Sequence, residues 1–154
     1  MTPQQFIDTI SAAATACYQS TGIWASATIA QGALESGWGN SELVAQAKNL
    51  FGIKADASWV GDKVSLPTTE YVNGVPTPCS AMWRVYPTWD ACLADHAAFF
   101  KQNPRYAEAL AATTAEDFVA AIRQAGYSTD PAYVSKIVGI MRMHNLQQYD
   151  VLST

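Results

Sequence analysis

Positive charge is scarce in this sequence and is nowhere clustered. Nine Lys and Arg stand against 13 Asp and Glu, which gives a formal net charge of −4 at neutral pH. Nucleic-acid binding requires a clustered basic face, and a polybasic membrane anchor requires a run of cations. The composition therefore argues against both nucleic acid and a membrane surface as partners.

Long apolar stretches are missing as well. No segment approaches the ~18 consecutive apolar residues of a membrane helix, and residues 1–8 lack the basic start and apolar stretch of a secretory signal. Thr2-Pro3-Gln4-Gln5 instead resembles a helix start, so we interpret this N-terminus as native. We therefore expect synthesis in the cytoplasm without a signal peptide.

Cysteine and histidine are few and scattered. Cys17, Cys79 and Cys92 form no C-x-x-C pair and are odd in number. Buried thiols at Cys17 and Cys92 are the simplest interpretation, and a single disulfide stays open. His96 and His144 are far apart, and no cluster of ligands appears near either, so we expect no metal and no cofactor.

The remaining composition is that of an ordinary globular protein. The length of 154 residues fits one domain spanning 1–154, and 49% of the residues are hydrophobic against 14% charged. Aromatic residues reach 11%, and their flat apolar faces suit sugars or other extended ligands. We expect a monomer in which some of these rings line a groove.

Residues 29–40 are the most informative stretch. Small and apolar residues at helical spacing predict a core-facing helix, and Gln31 and Glu35 share its polar stripe. Gly37 and Gly39 provide the backbone freedom to end it. Glu35 then lies in the last turn, beside Leu34 and Trp38, where the helix dipole and apolar neighbours raise a carboxyl pKa. Such a group is suited to act as a general acid.

Helical periodicity continues over most of the chain. It predicts helices that start at the caps Thr2, Asn40, Thr88, Thr113 or Thr114, and Asp130, with a short helix over 106–111. His96 falls on the apolar stripe of one of these helices, which indicates a core histidine.

Residues 59–86 lack this period and are rich in strand formers, which Pro67, Pro76 and Pro78 are expected to break. Asn73-Gly74 predicts a hairpin turn. Glu70 lies on the first of these strands, either as an exposed edge charge or as a second carboxylate. The predicted fold is mainly α (α+β), a helical body with a small β-hairpin lobe flanking a cleft.

Four strings in order carry a resemblance over about residues 23–144: ALESGWG at 33–39, KNLFGIK at 48–54, TEY at 69–71 and AGYSTDPAY at 125–133. Together they resemble the bacterial and phage glucosaminidase family, which includes flagellar peptidoglycan hydrolase domains. The resemblance implies a lysozyme-like fold. It also implies hydrolysis of the β-1,4 bond between N-acetylglucosamine and N-acetylmuramic acid in peptidoglycan glycan strands.

The resemblance also implies roles for individual residues. Glu35 matches the catalytic acid, Glu70 a second carboxylate and Tyr127 a tyrosine near the reacting sugar. The expected substrate-binding residues are Gln31, Trp38, Asn49, Phe51, Tyr71 and Tyr133. Glu70 could activate water or act as nucleophile, or the N-acetyl oxygen of the substrate could assist, with Tyr127 orienting it. Activation of water by Glu70 is our preferred route.

Two other functions stay open at this point. A lytic transglycosylase or muramidase would share the fold, although the Gly-Leu-Met-Gln string usual in transglycosylases is missing. A non-catalytic wall-binding module would bind without turnover. As a phage endolysin the protein would reach the periplasm or wall after holin-type release. As a secreted effector, restrained by an inhibitory immunity protein, it would need specialised secretion. A domain of a larger flagellar or surface protein is the third setting that the sequence leaves open.

Overall fold

The computed structural model describes residues 1–153, which form a helical body and one β-hairpin. The α-helices are α1 (Pro3–Thr21), α2 (Ala25–Ser36), α3 (Glu42–Ala47), α4 (Trp89–Gln102), α5 (Ala107–Leu110), α6 (Ala115–Gln124) and α7 (Tyr133–Met143). Short 3-10 helices span Pro104–Tyr106 and Leu146–Tyr149, and the hairpin consists of β1 (Lys63–Val72) and β2 (Val75–Arg84). The predicted fold class is confirmed. None of the helices in residues 1–153 combines the length and the apolarity that a membrane-spanning segment requires.

Helix α2 lies at the centre of the helical body. Every residue from Ala25 to Ala33 is buried, and the helix contacts α1, α6, α7 and the last 3-10 helix. Its N-terminus is held by a distant carboxylate, because the Ser26 backbone N–H and hydroxyl donate to Asp150 at 2.8 and 2.6 Å. A negative charge at this end is favourable for the helix dipole.

Three of the predicted helix caps are correct, whereas α3 is capped by Ser41, whose side chain accepts from the Val44 N–H, and not by the predicted Asn40. Thr2, Thr88 and Thr114 each accept a hydrogen bond from the backbone three residues on. The prediction for the last helix is wrong: α7 begins at Tyr133, and Asp130 instead closes a turn by accepting from the Ala132 N–H at 2.9 Å. Residues 131–132 form that turn, so Pro131 lies before the helix rather than inside it.

The hairpin turns at Asn73-Gly74 as predicted, with both residues at positive φ. The strands, however, run through the three prolines instead of breaking there. Val72 pairs with Val75 next to the two-residue turn, so the prolines fall in the alternate pairs 67–80, 69–78 and 71–76. These are the pairs that exchange no ladder hydrogen bonds, and a missing N–H costs nothing at such a position.

His96 lies in the core, as its place on an apolar stripe predicted. It is 0% exposed and stacks on Phe51 with ring centroids 3.8 Å apart. Burial lowers the pKa of His96 to about 3, so the ring is neutral at physiological pH. All three cysteines are free thiols: Cys92 is buried, Cys17 is half-buried and Cys79 is exposed.

Candidate active site

A cavity of about 370 Å³ opens where the end of α2 meets the base of the hairpin and the C-terminal part of α4. Its wall combines charged and aromatic side chains with one exposed stretch of backbone. The lining residues are Glu35, Phe51, Gly52, Ile53, Lys54, Asp56, Arg84, Phe99, Arg105, Tyr106 and Tyr127. Two of the predicted catalytic residues, Glu35 and Tyr127, are thus brought together from positions 92 apart in the chain.

The end of α2 sets the direction of Glu35. Residues 37–39 all adopt left-handed backbone, with φ of 56° at Gly37, 60° at Trp38 and 79° at Gly39. The N–H groups of Gly37 and Trp38 both donate to the Ala33 carbonyl, closing the last turn. The helix therefore ends at Ser36, one residue after Glu35, which leaves Glu35 at the cavity wall.

The environment of Glu35 disfavours its ionised form. Glu35 is an exposed residue at the cavity wall, but the neighbouring protein displaces enough water to raise the pKa of its carboxyl. The predicted direction is therefore confirmed. The cause differs in detail, because the Trp38 ring packs edge-on against Phe6 and His144 instead of lining the cavity.

Behind Glu35 lies a cluster of tyrosine hydroxyls. Burial raises the pKa of Tyr127 well above its usual value, with Tyr133 and Glu35 adding to the effect. Tyr133 is 2% exposed and accepts a 2.8 Å hydrogen bond from Gln31 Nε2. Among residues 1–153, the buried Gln31 Oε1 and Tyr106 hydroxyl have no hydrogen-bond partner. Gln31 and Tyr133 thus lie beneath the cavity and do not line it.

Asn49 has a structural position. It is 1% exposed, its amide N–H₂ donates to the carbonyls of Ile53 and Arg84, and its side-chain oxygen accepts from the Ile53 N–H. These bonds fix the loop that carries Phe51 into the cavity wall. Asn49 therefore shapes the cavity by holding this loop and does not line it.

Glu70 and Tyr71 lie on the hairpin, outside the cavity lining. Both are exposed, and Glu70 forms an ion pair with Lys54, which does line the cavity. Glu70 is therefore linked to the cavity through one side chain. Its predicted role stays a prediction.

Three charged residues of the lining were not predicted from the sequence: Asp56, Arg84 and Arg105. Hydrogen bonds from Ser58 lower the pKa of Asp56, and the positive charge of Arg84 lowers it further. An ionised carboxylate therefore shares the cavity with Glu35. Arg84 is held by Asp95 at 2.9 Å and lies over the Trp59 ring at 4.7 Å. No local pattern marks these residues, since only the folded chain brings them to Glu35.

Two further depressions adjoin the cavity. One of about 220 Å³ shares Asp56, Arg84 and Phe99 with it, and one of about 160 Å³ shares Arg105. Together they make an open groove with Glu35 in its central part. A groove of this kind accommodates an extended chain rather than a compact small molecule.

A glutamic acid with a raised pKa at the end of a helix, in a groove between a helical body and a β-hairpin, is the arrangement of lysozyme-like glycosidases. The comparison with protein families makes this specific. The family model described as glucosaminidase, mannosyl-glycoprotein endo-beta-N-acetylglucosaminidase, matches residues 11–146. The chain belongs to the glucosaminidase family, as its four motifs predicted.

Individual relatives agree. The chain is 37% identical over 143 residues to peptidoglycan hydrolase FlgJ of Salmonella typhimurium, covering 90% of this chain and 45% of FlgJ. It is 38% identical over 152 residues to exo-glucosaminidase LytG of Bacillus subtilis, covering 96% and 53%. The catalytic domain of the autolysin Auto from Listeria monocytogenes superimposes with a TM-score of 0.85 at 35% identity, covering 96% of this chain and 86% of that domain. The chain spans about half the length of the two curated relatives.

Proposed function

We propose that this domain hydrolyses the β-1,4 bond between N-acetylglucosamine and N-acetylmuramic acid in peptidoglycan, with Glu35 as the general acid. The observation that carries the proposal is the raised pKa of Glu35 at the wall of an open groove. Glycosidic oxygen is a poor leaving group and must be protonated as the bond breaks. The names of the relatives, peptidoglycan hydrolase and exo-glucosaminidase, support this substrate.

The second group of the mechanism is proposed to be Glu70, activating water. A water-activating carboxylate requires a separation of about 6.5–9.5 Å from the acid, whereas a nucleophile requires about 5–5.5 Å. Glu70 would approach from the hairpin after releasing Lys54. Asp56 competes for this role, because it is ionised and already lines the cavity. In the substrate-assisted route, Tyr127 would orient the N-acetyl group instead.

Product analysis tests the reaction. Purified cell wall is digested, the new ends are reduced, and the fragments are identified by mass spectrometry. Reduced N-acetylglucosamine ends are the expected result. Reduced N-acetylmuramic acid would identify a muramidase, 1,6-anhydro ends a transglycosylase, and binding to wall without any release a non-catalytic module; each of these three would overturn the proposal.

Two variants separate the candidates for the second carboxylate. If Glu70 activates water, we expect Glu70→Gln to lower kcat by about 10²-fold or more, and Asp56→Asn to stay within a few-fold of the parent. The opposite pattern would assign the role to Asp56. If both variants keep kcat, the substrate-assisted route remains, and an N-thioacetyl substrate should then be hydrolysed far more slowly than its N-acetyl parent.

We also propose where the protein acts. Peptidoglycan lies outside the cytoplasmic membrane, so a chain made in the cytoplasm requires holin-type release or specialised secretion to reach it. The test is expression in Escherichia coli with and without an added secretory signal. We expect lysis only when the protein is exported, and rescue by a cognate inhibitory protein would identify a secreted effector.

A further inference from the structure

The cavity wall carries three cations, and two of them already have carboxylate partners. Lys54 pairs with Glu70, and Arg84 pairs with Asp95 and, at 3.6 Å, with Asp56. Within residues 1–153, Arg105 forms no salt bridge within 4.0 Å, although it lines the same cavity. Glu35, whose pKa is raised, and Asp56 are the two carboxyl groups in the lining against these three cations.

The guanidinium of Arg105 is held in place without an ionic partner. It lies over the ring of Tyr106, 4.8 Å from the centroid, and Tyr106 is fully buried among Phe99, Phe100 and Tyr127. A Cβ built at Gly126 would lie 3.7 Å from Arg105 Nη1, so the guanidinium runs along a bare stretch of backbone. At this distance the face of the ring attracts the cation, and Arg105 is exposed, so its guanidinium is accessible to a ligand in the groove.

Arg105 also lies at a junction of the groove. It borders both the Glu35 cavity and the adjoining depression formed by Glu108, Ala121, Gln124 and Ala125. A substituent projecting from a sugar bound beside Glu35 can pass this point as it leaves the cavity. Arg105 is thus placed to contact a substituent of the sugar, while Glu35 contacts the glycan backbone.

We propose that Arg105 binds a carboxylate carried by the muramoyl residue of the glycan strand. This inference rests on the proposed peptidoglycan substrate. The two alternating sugars differ by the lactyl ether of the muramoyl residue, and every carboxylate of the polymer is attached through that ether. The anion is either the free lactyl carboxylate or a carboxylate of the peptide stem, and Arg binds either through two parallel N–H···O bonds.

This contact has a consequence for bond selection. In an alternating strand, a shift by one sugar exchanges the two kinds of β-1,4 bond at Glu35. An arginine that accepts the charged substituent on only one side of the acid favours one of the two registers. Arg105 is therefore a specificity-determining residue, separate from the proton transfer at Glu35.

Equilibrium binding tests the inference without requiring turnover. Glu35→Gln serves as the parent so that ligands stay intact, and Arg105→Gln, Arg105→Lys and Arg142→Gln are added to it. Arg142 is an exposed arginine paired with Glu116 and is the matched control. The probes are a muramoyl tetrasaccharide with peptide stems, the same glycan after amidase removal of the stems, and chitotetraose, which carries no charge.

We expect Arg105→Gln to weaken binding of the anionic probes by about tenfold or more, with partial recovery in Arg105→Lys and no change in Arg142→Gln. Binding of chitotetraose should stay within twofold. The stem is joined to the lactyl group as an amide, so the lactyl carboxylate is free only after amidase treatment. An effect confined to the stem-free probe therefore assigns the lactyl carboxylate, an effect confined to the stem-bearing probe assigns a stem carboxylate, and an effect on both shows that Arg105 binds either one.

Equal affinity of Arg105→Gln and its parent for both anionic probes would overturn the inference, as would an equal loss on chitotetraose, which would mean a structural role. The product analysis reports on hydrolysis separately. A wall digest without cleaved bonds would overturn the proposed function. The binding series would still show whether Arg105 recognises an anionic substituent.

Discussion

Gln31 Nε2 donates a 2.8 Å hydrogen bond to the Tyr133 hydroxyl, joining α2 to α7 one helical turn before Glu35. Both side chains are buried, so the bond lies beneath the cavity. It ties α2, which carries Glu35, to the start of α7, which follows the segment that carries Tyr127. Gln31 and Tyr133 were predicted from the sequence to contact the substrate. In the structure they support the residues that face it.

Replacing Glu35 with Gln should abolish measurable lysis. The amide keeps the shape of the side chain but cannot donate a proton to the glycosidic oxygen, and general acid catalysis contributes about 10²–10⁴-fold. The measurement is the loss of turbidity of a wall suspension, with circular dichroism to confirm folding. Glu42→Gln, an exposed glutamate on α3, should lyse at the normal rate. Near-normal lysis by folded Glu35→Gln would refute the assignment.

The same variant should be more stable than the parent at neutral pH. The pKa of Glu35 is raised in the folded state, so ionising it costs more there than in the unfolded chain. The parent therefore loses stability as pH rises from the unfolded pKa through the folded pKa, and Glu35→Gln does not. We expect a higher Tm for the variant at pH ~8 and a much smaller difference at pH ~3, where the acid is protonated in both states. A constant difference across this range would contradict the raised pKa.

The pH profile of the parent should show the same group. Because Glu35 must be protonated to act, kcat/KM should fall as pH rises through its folded-state pKa, which lies above that of an ordinary glutamic acid. The pH dependence of initial hydrolysis rates on a soluble glycan gives this limb. An alkaline limb at the ordinary glutamic acid value would contradict the raised pKa of Glu35.

Tyr127→Phe should lower kcat by about tenfold or more while leaving the fold intact. Tyr127 lines the cavity, and its hydroxyl is close enough to Glu35 for the two groups to affect each other; the loss of one hydrogen bond made in the transition state has about this effect. Steady-state kinetics on a soluble glycan separate kcat from KM. A change in KM alone would instead assign Tyr127 to ground-state binding.

Asp95→Asn should destabilise the base of the hairpin. Asp95 accepts hydrogen bonds from Arg84 and the Tyr86 hydroxyl, and the Arg84 side chain is only 10% exposed. Without the carboxylate, a nearly buried guanidinium loses its closest charge partner, which costs about 1–3 kcal/mol in the free energy of unfolding. Urea denaturation measures it. Asp90→Asn, an exposed carboxylate on the same helix, is the control and should stay within about 0.5 kcal/mol.

Gly39→Ala should cost more stability than Gly37→Ala, although both glycines have positive φ. The left-handed conformation costs about 1–2 kcal/mol at either site. At Gly39 the new Cβ would also lie 3.1 Å from the Phe6 ring and 3.2 Å from the Trp89 ring, whereas at Gly37 it would meet nothing within 4 Å. We expect an added cost of about 1–3 kcal/mol for Gly39→Ala, measured by urea denaturation. Equal losses would show that the Phe6 and Trp89 rings move aside.

The local features of this protein were determined by the sequence itself. The helix caps Thr2, Thr88 and Thr114, the Asn73-Gly74 turn and the glycines after Glu35 depend on the conformations of a few neighbouring residues, and these were predicted correctly. The predicted caps Asn40 and Asp130 were wrong. The raised pKa of Glu35 followed from the same stretch. Four motifs in order were enough to predict the family.

The cavity was decided by the tertiary structure. Asp56, Arg84 and Arg105 come from separate segments and carry no local signal, because their importance lies in facing Glu35 across the groove. Asn49 and Trp38 lie within the motifs, yet neither lines the cavity. Asn49 hydrogen-bonds to the loop backbone, and Trp38 packs against Phe6. Residue type and spacing fix which chemistry is possible, whereas packing between distant segments fixes which side chains reach the ligand.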